Sequence, residues 1–331
     1  MRNLINPWPE GIHEVYTDSD SSLFLLDLPL PHPGFDHHLS SWLLRDFSTG
    51  RNILVDTGPW RTVPVLERSI RTAGVEKLDL VLLTHIHADH AGGAGRLLSY
   101  FPEARILAPE RGRPHLIRPG KLAEGTRTTL GAEMADAFGP ILPVPQENLI
   151  DSASPLLEGI TILDTPGHAS HHSSYVFPAR SGKVLFPGEA AGVGLGEAVR
   201  PLWTKDQNGI ISAPYLFPAT PPRLDGASME RSIEILSSER DAKYLCFSHY
   251  GWTEDAAGTL RMAAVQFREW TERARLCGLE EEDEAVELLF FQVCREDPHL
   301  ALLSSLREEQ RIKEEFFIRN SLRGIVRWVR S

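Results

Sequence analysis

The sequence predicts an α/β protein in which two packed sheets are covered by helices. Apolar runs of strand length alternate with segments of helical periodicity on both sides of a Pro-, Gly- and Arg-rich stretch over residues 109–148, and this alternation is typical of layered α/β domains. After about residue 255 only helical periodicity remains. We therefore predict one domain over residues 1–255 and a helical cap or extension over residues 256–331.

The elements of the first half follow from apolar runs and the turn residues that bound them. Residues 1–20 show no clear period, so we expect an irregular lead-in. A helix is predicted over residues 63–72, where Gly74 ends it. Further helices are predicted over residues 91–100 and near 130–138. Strands are predicted at residues 22–28, 39–44, 51–56, 78–83 and 104–108.

The second half repeats the alternation and then becomes helical. Residues 190–225 are long and rich in Gly and Pro, so we predict a functional loop there. Substrate contacts are expected in it from Arg200, Trp203, Lys205 and Tyr215. Strands are predicted at residues 160–164, 173–177, 183–187 and 243–247, and helices at residues 228–237, 260–276, 282–294 and 313–329.

Composition restricts the partners and the compartment. The chain has 331 residues and a net charge of −11, and an acidic surface disfavours binding to a phosphate backbone. No apolar run approaches a membrane span, and the first nine residues lack the apolar core of a signal peptide. The three cysteines form no C-x-x-C pair, which argues against a disulfide framework. We predict a cytoplasmic protein with a small-molecule substrate, no nucleic-acid or membrane partner, and a homodimer as one arrangement.

The run Thr84-His85-Ile86-His87-Ala88-Asp89-His90 is the most informative feature of the chain. It follows an apolar strand and places three imidazoles and one carboxylate at a strand end. Imidazole and carboxylate together suit zinc, iron or manganese. Packing alone would not gather so much polarity in one turn. The run therefore predicts a metal site.

Three further ligand-type residues each follow a short apolar run at or near a turn. They are His168 in Thr165-Pro166-Gly167-His168, Glu189 in Gly188-Glu189, and His249 in Ser248-His249. Their repeated position at strand ends supports the same metal site.

These motifs, in this order and with Val55-Asp56-Thr57-Gly58 upstream, resemble the signature of the metallo-β-lactamase superfamily. The resemblance covers roughly residues 20–255, and the texture from His168 to His172 resembles the hydrolase branch close to glyoxalase II. It implies an αβ/βα four-layer sandwich. It also implies a dinuclear hydrolase that uses a metal-bound hydroxide on an ester, thioester, lactone or related bond.

The resemblance implies a ligand for each metal position. His85, His87 and His168 would hold one metal, and Asp89, His90 and His249 the second, with Asp89 also the predicted catalytic residue. Two divalent ions are expected, with zinc first and iron or manganese as alternatives. Glu189 stands where the family has an aspartate. It bridges both metals, binds one of them, or lies uninvolved beside a one-metal site.

Other polar residues have two interpretations each. Asp56 either orients a ligand or is a turn aspartate. His171 and His172 either support ligands or substrate, or cap a turn. The remaining histidines lack companions at metal spacing, and we interpret them as surface or loop residues: His13, His32, His37, His38 and His115.

Two other functions stay open at this stage. A non-haem iron oxidoreductase acting on a small or thiol substrate could use the same ligands, although no flavin motif is visible. A metal-binding sensor without turnover could use the helical segment to bind partners. Fold alone does not decide between them.

Overall fold

The computed structural model describes residues 9–194 and 215–331, together with two short strands between these ranges. Only the backbone is described at 204–205, 211–212, 215, 216 and 302. The chain forms two compact units. The first consists of the described residues up to Pro31 and of Leu39–Gly159, and the second of His32–His38 and the described residues from Ile160 onward.

The first unit contains a seven-stranded sheet. Strands β1 to β4 pair antiparallel, and β4 to β7 pair parallel. Every residue of β2 is buried, so this strand lies at the core. In sheet order the strands are β1 (Ile12–Thr17), β2 (Ser21–Asp27), β3 (Ser40–Asp46), β4 (Arg51–Val55), β5 (Leu80–Leu82), β6 (Arg105–Leu107) and β7 (Leu149–Ile150).

Five α-helices of the first unit connect or flank these strands. Helix α1 buries Val63, Leu66 and Ile70, a spacing that places them on one face. Helix α5 contains a kink at Gly131, whose φ is 85°. The helices are α1 (Val63–Thr72), α2 (Ala88–Ala91), α3 (Ala94–Leu97), α4 (Arg113–Ile117) and α5 (Gly120–Phe138).

Three predictions for this unit need correction. The irregular lead-in is wrong, because residues 12–17 form strand β1 and its His13 is buried. The helix predicted over 91–100 is replaced by two short helices, α2 and α3, on either side of Gly92 and Gly93. The helix predicted near 130–138 begins ten residues earlier, at Gly120.

The second unit contains a five-stranded sheet in the order β16-β15-β10-β9-β8. Strands β10 and β15 are parallel, and the other pairs are antiparallel. Two strand pairs, β11 with β14 and β12 with β13, fall in the segment predicted as a loop. The strands are β8 (Thr161–Asp164), β9 (Ser173–Ala179), β10 (Gly182–Phe186), β11 (Val193–Gly194), β12 (Thr204–Lys205), β13 (Ile211–Ser212), β14 (Tyr215–Phe217), β15 (Ala242–Cys246) and β16 (Trp252–Thr253).

The helices of this unit are α6 (Gly226–Ser237), α7 (Ala256–Leu276), α8 (Glu282–Glu296) and α9 (Glu308–Arg330). Asp225 caps α6 and Asp255 caps α7, each accepting a backbone N–H with its carboxylate. Buried residues of α7, α8 and α9 form one apolar cluster with Phe217 and Met229. The predicted helical C-terminal region is therefore present, while the predicted domain boundary at residue 255 stays a prediction. None of the helices in the described ranges has the length and apolar character needed to cross a membrane.

Candidate metal centre

Two imidazoles lie edge-on to each other just after β5 in the first unit. His85 Nε2 lies 3.0 Å from His87 Nδ1, and the ring centroids are 4.5 Å apart at 82°. His85 is fully buried and His87 partly buried. Two imidazole nitrogens at this distance could bind one cation. Asp89 and His90 follow on α2, where Asp89 Oδ2 lies 3.6 Å from His90 Nε2.

The Asp56 carboxylate hydrogen-bonds to two residues of this cluster. Its buried carboxylate accepts hydrogen bonds from the backbone N–H and the hydroxyl of Thr84, each at 2.8 Å. His90 Nδ1 lies 3.1 Å from the same carboxylate. Asp56 has a φ of 58°, which is uncommon outside glycine but tolerated by aspartate. It therefore touches both the start of the motif and its last histidine, which favours the orienting role over a plain turn residue.

The Nδ1 atoms of three histidines contact oxygens outside the ligand set. His85 Nδ1 lies 3.1 Å from the Thr84 hydroxyl, His90 Nδ1 contacts Asp56, and in the second unit His168 Nδ1 lies 3.1 Å from the Ala219 carbonyl. An outer hydrogen bond of this kind fixes the ring and tautomer of a metal-binding histidine. With Nδ1 engaged in this way, Nε2 of each ring is the nitrogen that would bind a metal.

Glu189 lies between two histidines in the second unit. Its Oε2 is 2.8 Å from His168 Nε2, and its Oε1 is 3.4 Å from His249 Nε2. All three side chains are buried. Each carboxylate oxygen thus lies near a different imidazole. The three predicted roles of Glu189, as a bridge, as a ligand of one metal or as an uninvolved residue, stay predictions.

Helix α6 fixes the turn that carries His168. The Ser232 hydroxyl donates to the Pro166 carbonyl at 2.6 Å, and the Asp225 N–H donates to the Gly167 carbonyl at 3.1 Å. Hydrogen bonds from Ser228 lower the pKa of the Asp225 carboxyl, so this cap is anionic at neutral pH. The turn preceding the histidine is thus attached to a capped helix.

Gly167 is a position that a larger residue should not tolerate. Its φ is 139°, and an added Cβ would lie 2.6 Å from the Met229 backbone. We expect Gly167→Ala to displace His168 and to lower the free energy of unfolding by about 1–3 kcal/mol. Thermal unfolding and metal content measure the two effects. Gly159→Ala is the control, because that glycine also has a positive φ but meets nothing within 4 Å. Equal behaviour of both variants would contradict the expected packing effect.

His172 lies beneath Glu189. It is fully buried, its Nε2 accepts the Glu189 N–H at 3.1 Å, and its Nδ1 lies 2.9 Å from the Thr165 hydroxyl. Because Nε2 accepts, Nδ1 carries the proton and donates to Thr165. His172 therefore joins the turn before His168 to the turn of Glu189. His171 is only partly buried.

The substrate contacts predicted in residues 190–225 fall largely outside the described part of the chain. Arg200 and Trp203 lie in undescribed positions, and Lys205 and Tyr215 are placed in β12 and β14 by their backbone alone. These four assignments stay predictions.

One functional candidate escaped the sequence reasoning. His38, expected to be a surface or loop residue, is a buried loop residue, and its ring lies 4.7 Å from that of His249. His32, His37 and His115 are partly buried. His38 lacks companions at ligand spacing in the sequence, and its contacts come from residues far away along the chain. The one signal in the sequence for the burial of His38 was its position just before the apolar strand β3.

Cys246 and Cys294 stay protonated near neutral pH, because the pKa of each thiol is raised. Burial raises the pKa of the Cys246 thiol well above its usual value and that of Cys294 to about 11. All three cysteines are free. We expect Cys246, which is fully buried, to react with an aromatic disulfide only after denaturation. Counting fast-reacting thiols in native and denatured protein checks this, and equal rates for all three in the native state would contradict it.

A cavity of about 470 Å³ adjoins the first ligand cluster. It lies within the first unit, and Ala88, between His87 and Asp89, forms part of its wall. Apolar side chains from the kinked helix and from the following turn line it, together with Arg61, whose guanidinium donates to the Asp136 carbonyl at 3.1 Å. The lining residues are Arg61, Ala88, Ala123, Thr126, Arg127, Ala135, Asp136, Phe138, Gly139, Pro140 and Ile141.

Comparison with known proteins finds relatives in one superfamily. The family model described as metallo-beta-lactamase superfamily matches residues 35–249. A hydroxyacylglutathione hydrolase of Buchnera aphidicola is 26% identical over 208 residues, 63% of this chain and 60% of that protein. A protein of the same name from Xanthomonas campestris is 30% identical over 156 residues, 46% of this chain and 49% of that protein. The matches thus span about half to three fifths of these relatives.

Solved structures share the fold. An archaeal metallo-beta-lactamase superfamily protein from Sulfolobus tokodaii matches with a TM-score of 0.58 and 20% identity, covering 91% of this chain and 97% of that one. A metallo-beta-lactamase family protein from Thermus thermophilus matches with a TM-score of 0.58 and 21% identity, covering 93% of both chains. These likenesses confirm the predicted αβ/βα sandwich class.

Proposed function

Because the chain belongs to the metallo-β-lactamase superfamily, we propose that it is a metal-dependent hydrolase of an ester, thioester, lactone or related bond. Thioesters are our first choice, since two curated relatives are named hydroxyacylglutathione hydrolase. The observation that carries the proposal is the placement of Glu189, with one carboxylate oxygen toward His168 and the other toward His249.

The donor atoms of each unit fit divalent metal ions. Both units offer buried imidazole and carboxylate groups, and these suit zinc first, with iron or manganese as alternatives. We propose that His85, His87 and His168 hold one ion, that Asp89, His90 and His249 hold the other, and that Glu189 bridges them. This assignment rests on the family order of the motifs and on the contacts within each unit.

The bound ions would lower the pKa of a water and polarise the scissile carbonyl. The protein's own part is to orient the ligands and to move a proton. The Asp56 carboxylate fixes His90, and the His172 ring holds the backbone of Glu189. Asp89, with about 18% of its side chain exposed, is the carboxylate that we propose accepts the proton lost by the attacking water. The net charge of −11 disfavours a nucleic-acid substrate, so we propose a small-molecule substrate.

The cavity beside Ala88 is our candidate for binding the acyl part of the substrate. Its wall continues from the ligand helix α2, and side chains such as Phe138 and Ile141 supply apolar surface. Small-molecule sites are commonly concave and largely apolar with a few polar groups. Arg61 is the candidate polar contact at its edge.

A panel of esters, thioesters and lactones tests the proposed activity. We expect hydrolysis of at least one class, its loss on chelation and its return with added metal. His85→Ala should abolish turnover, whereas His115→Ala on helix α4 serves as the control and should retain it. Turnover that persists in fully metal-free protein would contradict the proposal. A panel with no hydrolysis but thiol-dependent oxygen uptake would favour the oxidoreductase instead.

A further inference from the structure

A buried charged pair on the C-terminal helix contacts His38, whose ring lies against that of the candidate ligand His249. Lys313 Nζ is 2.8 Å from Glu314 Oε1, and their side chains are only 5% and 7% exposed. Burying a lysine and a glutamate together is costly, and such a pair is weak evidence for stability. An ammonium has three donors and cannot accept a hydrogen bond, so any side chain that hydrogen-bonds to Lys313 Nζ must accept from it.

The second hydrogen bond of Lys313 goes to His38. Lys313 Nζ lies 3.0 Å from His38 Nδ1 in the second unit. Because the ammonium donates, His38 accepts at Nδ1 and carries its proton on Nε2. The lysine also lies over the Phe35 ring, 5.5 Å from its centroid. The position of the ammonium is therefore fixed on several sides.

His38 in turn contacts His249. Its ring is edge-on to His249 at 4.7 Å and 63° and stacks on Phe317 of α9 at 5.4 Å and 23°. Phe35 contacts it from another side at 4.7 Å. A ring held by a hydrogen bond and by aromatic neighbours has little freedom, so its contact limits the rotation of His249.

The segment that carries His38 is attached to α9 independently of Lys313. Arg307 pairs with Asp36, and Gln310 donates to the same carboxylate at 3.4 Å. Gly34, with a φ of 80°, lies so close to the Glu309 backbone that a Cβ would not fit. Loss of Lys313 alone should therefore leave this segment in place.

From these contacts we infer that Lys313 is a positioning residue of the metal centre, acting through His38 on His249. This inference rests on the proposed function, since it assigns His249 as a ligand. It makes helix α9 part of the site, although no residue of α9 is a proposed ligand.

Zinc affinity of the apo-protein provides the test. The variant Lys313→Met combined with Glu314→Gln removes both buried charges, so neither is left unpaired. We expect the weaker of two zinc sites to lose about tenfold to a hundredfold in affinity, the range for residues that orient ligands. Competition with a chromophoric chelator measures it. Arg311→Met is the matched control, because it breaks an ion pair with Glu315 within the same helix, and it should bind zinc like the wild type.

A readout independent of metal is the tautomer of His38. In nitrogen-15 NMR spectra of the apo-protein, the His38 signal, identified by its loss in His38→Gln, should show an accepting Nδ1. The double variant should lose this pattern. The single variant Lys313→Arg should keep it in part, because arginine also donates. Should the double variant fail to fold, His38→Gln keeps the pair intact and is expected to show the same loss of zinc affinity.

The outcomes separate the two proposals. A folded double variant with wild-type zinc affinity and an unchanged His38 tautomer would overturn the positioning role and leave the proposed function standing. Wild-type protein that binds no zinc, iron or manganese would overturn the proposed function, and this inference with it.

Discussion

Glu189→Gln is expected to lose at least one metal ion and nearly all hydrolysis. The buried carboxylate faces His168 with one oxygen and His249 with the other. A neutral amide keeps the length but removes the charge that offsets two cations, so both metal retention and rate should fall. Changing a residue that only orients a ligand costs about 10-fold to 100-fold, so for a proposed ligand we expect turnover to fall by about 100-fold or more.

Glu189→Asp is the informative companion. It keeps the charge and introduces the aspartate that the resemblance implies at this position, with a side chain shorter by about 1.5 Å. We expect two metals to remain, with a changed rate or metal preference. Metal content and turnover on one substrate are compared for both variants. Full metal and full rate in Glu189→Gln would show that Glu189 is not a ligand.

Deletion of residues 256–331 is expected to leave a chain that aggregates or fails to fold. Helices α7 and α9 supply Phe267, Trp270, Ile318 and Leu322 to a cluster that also contains Met229 of α6. Removing the tail would expose this apolar surface, and exposed patches of that kind promote association. The soluble fraction and light scattering of the truncated chain measure the effect.

A point substitution tests how much the helical cluster contributes to stability without deleting the segment. Trp270 is 1% exposed and donates its indole N–H to Asp297 at 2.9 Å, so Trp270→Ala should cost about 3–5 kcal/mol. Phe291→Ala is the control, because that ring is 62% exposed and its loss should change stability by about 0.5 kcal/mol or less. A truncated chain that stays monomeric, folded and active would show that the helices are dispensable.

The sequence predicts the secondary structure and the candidate ligands well where the pattern lies within one short segment. The pattern from Thr84 to His90 predicts a strand end with clustered ligand-type residues, and the structure places the ring nitrogens of His85 and His87 3.0 Å apart there. Helix α1 begins and ends at the predicted residues 63 and 72. In both cases the signal lies within one strand or one helix, so periodicity and turn residues are sufficient.

The parts that were missed depend on distant or irregular contacts. Strand β1 was missed because a bulge between Glu14 and Tyr16 interrupts its alternation. The burial of His38 could not be seen because its partner Lys313 is 275 residues away along the chain. The support that His172 gives to the Glu189 backbone likewise appears only once strands β9 and β10 are paired.

The central claim is a two-metal centre built from seven ligand-type residues. Elemental analysis of protein purified without chelators and without added metal tests it most directly. The account predicts close to two equivalents of zinc, iron or manganese per chain, in agreement with a bridging Glu189. A reproducible single equivalent that added metal does not increase would contradict it.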